Sequence, residues 1–201
     1  MVRRDLVKTT AELGELIENQ LTWTVLPSDG VALLNAHRLA QVEEDNLDEI
    51  ARIDWRLHAM KLPRELRVAS ALIGRRLLAE TAGFGGGRRR VAYAARVGSG
   101  SAPGLSPIAL ALVAVDLDIS EEIAFGTLAH SYVVSVLGAA LRLLPVSHRD
   151  CQAILHTVQR RIAGLFEQLA NRHWHDMSAF SPELDLAAIG HAADDVRMFA
   201  S

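Results

Sequence analysis

The chain has 201 residues, half of them hydrophobic and 22% charged, which is enough apolar material for one core and excludes a largely disordered polypeptide. A formal net charge of -3 and a pI near 6.2 supply no global pull toward nucleic acid or anionic lipid, so proteins or small molecules are the expected partners. The single cysteine, Cys151, excludes an internal disulfide, and the charged opening MVRRDLVKTT is not followed by the apolar core of a signal peptide, so the expected location is cytoplasmic.

Leu13, Leu16, Ile17, Leu21 and Val25 recur at three- and four-residue spacing, which predicts a first amphipathic helix from Thr10 to Val25 with Thr10 as its N-cap. Pro27 interrupts it. Asp29 is placed to cap a second helix carrying Val31, Leu33, Leu34, Ala36 and Leu39, and the turn EEDN leads into a third through Leu47, Ile50, Ile53, Trp55, Leu57 and Met60. Pro63 at a first helical position and Glu65 in the first turn begin a fourth helix. Its expected buried stripe is Leu66, Ala69, Leu72, Ile73, Leu77 and Leu78, with Arg64, Arg67, Arg75 and Arg76 largely elsewhere. Residues 83–104, rich in Gly, Ser and Arg, hold no sustained period and read as a flexible, exposed connection, within which VAYAARV could form a short helical turn or strand.

Ser106 to Pro145 follows as two apolar helices joined by Asp116 to Asp118, with Ser120 as the second N-cap and Glu121 and Glu122 in its first turn. No Asp, Glu, Lys or Arg occurs from Ile123 to Leu141. That run is about the ~20 residues that span a bilayer, but Thr127, His130, Ser131, Tyr132 and Ser135 lie inside it and no Trp marks its ends. The better expectation is the buried axis of a helical bundle. The last long helix covers Arg149 to Arg172, with Ile154, Leu155, Val158, Ile162, Leu165, Phe166 and Leu169 as its apolar face. No alternating segment of strand length stands out. The chain is therefore predicted to be all-α: a single-domain bundle over residues 1–180 with a central buried apolar helix, followed by a tail at 181–201.

Gly83, Gly85, Gly86 and Gly87 beside Arg88 to Arg90 fail the spacing of a phosphate cradle, with no G-x-x-x-x-G-K-[ST] and no preceding strand. His173, His175, Asp176 and His191 invite a metal reading, but ligands two apart on a helix point to different faces. His130, Ser131 and Tyr132 are adjacent, about 100° apart around a helix, and read as buried groups hydrogen-bonded to helix carbonyls or to one another. No catalytic, cofactor or metal site is read from these residues. Arg142 is a candidate partner-binding residue, because it ends a long uncharged run just before a proline turn; dipole compensation at a helix C-terminus is the alternative. In the tail, Val196, Met198 and Phe199 with Arg197 are too apolar for a purely solvated end, and either dock on the bundle or meet a partner.

In order along the chain, DGVALLNAHRLA, KLPRELRVASALIGRRLLAE, SPIALALVAVDLDI, GAALRLLPVSHRDCQ and the ending GHAADDVRMFAS resemble the urease accessory protein UreF family. A segment resembling that family's D-S-x-x-P-x-G-G-F-x-x-S-x-G-L-E has no counterpart here. His148 and Cys151 stand where the proline-turn motif usually has Gln and Gly, and Gly190, Ala192 and Ala200 replace charged tail residues. The resemblance implies an all-α protein without catalysis of its own that acts in nickel insertion into urease. Members bridge UreD and the GTPase UreG, typically as a homodimer, and bias the nucleotide cycle of UreG so that nickel passes to apo-urease. It further implies Arg142 at a UreG-facing surface, and His191, Arg197, Met198 and Phe199 in docking of the tail to UreD. A drifted helical regulatory protein and a histidine-dependent nickel chaperone or metalloenzyme are the alternatives.

Overall fold

Helices begin where side chains satisfy the amide groups that a first turn leaves open. In the computed structural model, which describes residues 7–42, 46–83 and 87–182, α1 (Thr10–Gln20) opens on a reciprocal capping box at Thr9. Thr9 Oγ1 accepts from the Glu12 amide at 3.2 Å, and the Glu12 carboxylate accepts from the amides of Lys8 at 2.7 Å and Thr9 at 3.0 Å. The cap lies one residue before the expected Thr10, since it is Thr9 that stands three residues before Glu12. The same motif starts α8 (His148–Leu169), where Ser147 and Asp150 cap each other. Ser120 caps α7 (Glu121–Leu143) through the Ile123 amide.

Pro27 does not end a helix. Leu21–Gly30 form a π-helical segment that runs directly into α2 (Val31–Gln41), the wider winding accommodating a residue without an N–H. Asp29, expected as a cap, lies buried in this segment instead. Lys61 Nζ donates to both its carboxylate oxygens at 2.7 and 2.8 Å, and Ser28 Oγ donates at 3.0 Å.

The remaining helices are α3 (Leu47–Met60), α4 (Arg64–Glu80), α5 (Arg88–Gly98) and α6 (Ser106–Asp116). No strand occurs among the described residues, and the fold is all-α. The central buried apolar helix is α6, buried on every face through Ile108, Ala109, Ala111, Leu112, Val113 and Ala114. It packs along α2, itself buried at Val31, Ala32, Leu33, Leu34, Ala36, His37 and Ala40. α7 behaves differently. It is long and apolar enough to cross a membrane, yet it is buried along one stripe, Phe125, Ala129, Val133, Leu137 and Ala140, which packs toward α8, α6 and α2. The buried axis is thus the first half of the Ser106 to Pro145 stretch paired with α2, not the whole of it.

Two further expectations are corrected. Within 83–104, residues Arg88–Gly98 are helix α5, with Arg90, Tyr93 and Val97 facing inward. Tyr93 Oη donates to the buried Asp54 carboxylate of α3, which also accepts the Gly104 amide at 2.7 Å and the Leu105 amide at 3.2 Å. Arg90 pairs with Asp116 of α6 and donates to Thr81 Oγ1 at 3.2 Å. An inner face made of Arg90, Tyr93 and Val97 carries no clear apolar period, so the segment resembles a loop until its partners are known. On α4, Leu66, Ala69, Leu72 and Ile73 of the expected buried stripe are exposed, and the inward positions are Ser70, Gly74 and Leu78. The cause is close approach. A Cβ on Gly74 would lie 2.1 Å from the Gly104 carbonyl oxygen, and Ser70 Oγ meets Ser106 Oγ at 3.1 Å, so only small residues fit where α4 crosses the start of α6.

Candidate partner-docking surfaces

Arg142 stands in the last turn of α7, exposed. The helix stops there because Leu144 turns extended, its amide closing on the Ala140 carbonyl at 2.8 Å, and Pro145 follows. The Ser147–Asp150 box then starts α8 at once, which holds the corner in one shape and keeps the Asp150 carboxyl below its ordinary range through hydrogen bonds from Ser147. His148 and Arg149, on the first turn of α8, are also exposed. Arg142 and Arg149 thus offer two cations above the uncharged outer face of α7, an arrangement suited to an acidic or phosphate-bearing protein surface.

The other partner-binding candidates, His191, Arg197, Met198 and Phe199, lie outside the described residues. The root of that tail is described. His173 Nδ1 accepts the His175 amide at 3.2 Å and caps a short 3₁₀ turn, Trp174–Asp176, in which Trp174 is buried. The His173 and His175 rings stack at 4.9 Å rather than facing apart, because this turn is not α-helical. Among the described residues no group of three or more His, Cys, Asp or Glu is arranged to hold a metal ion.

Beyond the turn, the chain lies along the π-helical segment. The Ser178 amide donates to the Pro27 carbonyl at 3.2 Å, the Phe180 amide to the Trp23 carbonyl at 2.9 Å, and Thr24 Oγ1 donates to the Phe180 carbonyl at 3.1 Å. Pro27 brings no N–H to Trp23 at the α-helical spacing, and the tail root supplies a donor there. This leaves the Trp23 and Phe180 side chains 60% and 73% exposed, a neighbouring pair of aromatics of the kind that anchors interfaces. Sequence reading missed this pair. Pro27 was its signal, since a proline inside a helical pattern leaves a carbonyl open to another segment.

His130 and Ser131 are exposed rather than buried. His130 Nδ1 meets Gln159 Nε2 at 3.2 Å, and Tyr132 Oη donates to Gln20 Oε1 at 3.2 Å. Burial pushes the Tyr132 hydroxyl pKa up, with the Asp29 carboxylate adding to it.

Residues 7–159 match the family described as UreF. UreF 2 of Brucella suis is 34% identical over 172 residues, which are 86% of this chain and 70% of that relative. UreF of Paenarthrobacter aurescens is 28% identical over 200 residues, 100% of this chain and 86% of the relative, and UreF of Arthrobacter sp. is 28% identical with 85% of its length covered. An all-α bundle with this ancestry is by class a urease accessory protein, with a role in urease maturation. Within that class, the chain belongs to the UreF family.

Proposed function

We propose that the chain is a non-enzymatic maturation factor, working in the cytoplasm, that bridges a UreD-type accessory protein and a UreG-type GTPase and supports GTP-dependent nickel insertion into apo-urease. Membership of the UreF family over residues 7–159 carries this reading. The Arg142 corner is assigned to the UreG-type partner because its exposed cations suit a nucleotide-dependent, acidic surface. The tail at 181–201, with His191, Arg197, Met198 and Phe199, is assigned to the UreD-type partner, the Trp23–Phe180 pair forming the inner edge of that contact. The working unit is a homodimer.

Co-purification tests these assignments. Tagged wild-type chain should retain both partners. Arg142→Ala should lose the UreG-type protein and keep the UreD-type one, whereas deletion from Ser181 onward should lose the UreD-type partner. Retention of both partners by both variants would refute the assignments, and failure of the wild type to retain either would refute the bridging role.

A further inference from the structure

On α4 large aliphatics point away from the bundle, and arginines bracket them. Val68 and Leu72, 57% and 51% exposed, follow one another at i and i+4 and form an apolar ridge. Arg64 stands one turn before Val68, and Arg75 and Arg76 one turn after Leu72. All three are exposed and make no ion pair among the described residues. Between Glu65 and Glu80, every charge on the helix is a guanidinium. A ridge of this kind suits an apolar segment rich in carboxylates.

The chain holds such a segment. Residues 183–201, which lie outside the described residues, set Glu183, Asp185, Asp194 and Asp195 against Arg197 alone, and so carry the whole of the formal net charge of -3. Among these acids stand Leu184, Leu186, Ile189, Val196, Met198 and Phe199. The root of the segment lies beside the approach to α4. Arg56 of α3 donates to the His175 carbonyl at 2.7 Å, and the Ser178 amide donates to the Pro27 carbonyl at 3.2 Å. Two residues beyond Pro27, Asp29 is held by Lys61, which stands three residues before Arg64. The nineteen residues of 183–201 reach up to about 60 Å when extended, whereas α4 is only ~25 Å long.

From charge, apolar content and reach we infer that, in the chain free of partners, the acidic tail folds back on the outer face of α4. Its apolar side chains cover Val68 and Leu72, and its carboxylates pair with Arg64, Arg75 and Arg76. The contact goes beyond the partner reading, because it belongs to the chain alone. A partner that takes the tail has to lift it from α4 first.

Disulfide capture in the full-length chain tests the contact, with Cys151→Ser as background, a glutathione redox buffer, intact mass as the readout and circular dichroism as the check on folding. Leu72→Cys is combined with Ala200→Cys, and as a control His156→Cys on the exposed side of α8 is combined with the same tail substitution. The α4 pair should close within one chain at an effective concentration at least about tenfold above the control. Arg75→Glu with Arg76→Glu, or Asp194→Arg with Asp195→Arg, should remove that advantage, and all four together should restore it. The restoration cannot come from a more acidic thiol, since the α4 cysteine then stands beside carboxylates. Equal capture by α4 and α8 would overturn the docking, and a disulfide joining two chains would overturn the fold-back. Charge reversals that change nothing, or that the combined variant does not rescue, would overturn the pairing with the arginines. Each of these failures leaves co-purification with a UreD-type protein untouched, so the two readings fail separately.

Discussion

α6 and α4 pack against each other and are both rich in apolar residues, yet they distribute them in opposite ways. α6 is enclosed, with apolar residues inward on every face. α4 touches the bundle through Ser70, Gly74 and Leu78 and turns its large aliphatics to solvent. Apolar content alone therefore does not say where a helix is buried; the allowed distance of approach decides it. Where backbones meet closely, small residues line the contact and the large ones are left facing solvent.

The largest expected effects lie on the enclosed side. Gly74→Ala puts a methyl group where the Gly104 carbonyl already stands, and Leu112→Ala empties a site in the core, so each should cost about 3 kcal/mol in urea unfolding. A much smaller loss from Gly74→Ala would mean that α4 is not seated closely. Next comes Asp54, between α3, α5 and the approach to α6. Burial raises its pKa above the ordinary 3.8, against the hydrogen bonds from Tyr93, Gly104 and Leu105 that favour the charged form. Its folded pKa lies above its unfolded one, so the stability tied to its protonated form is present below 3.8 and is lost as pH rises through the folded value. Asp54→Asn should flatten that part of the stability–pH curve, and an unchanged slope would remove Asp54 as its source. Smallest is Leu72→Ala on the outer face of α4. In chain ending at Pro182 it should change stability by less than about 0.5 kcal/mol. A loss as large as that from Leu112→Ala would erase the distinction between the two helices.

Helix order, the all-α class and most helix starts were legible in the sequence, because capping residues and three-and-four periodicity act locally. α3 falls where Leu47, Ile50, Ile53 and Leu57 place it. What was not legible depends on distant partners. Tyr93 and Arg90 look like loop residues until Asp54 and Asp116 are known to face them. Leu66, Leu72 and Ile73 look like core until Gly104 is seen against Gly74. At the candidate surfaces, the exit of α7 at Arg142 was visible from a charge ending a long neutral run. The Trp23–Phe180 pair was not, since it joins residues far apart in the chain through one carbonyl near Pro27.

The maturation role is the central claim, and the nickel content of urease tests it most directly. In a urease gene cluster whose own UreF gene has been removed, purified urease should be nearly free of nickel and inactive, and supplying this chain should restore both metal and activity. Urease that remains fully metallated without any UreF, or that stays empty although this chain is expressed and folded, would contradict the account.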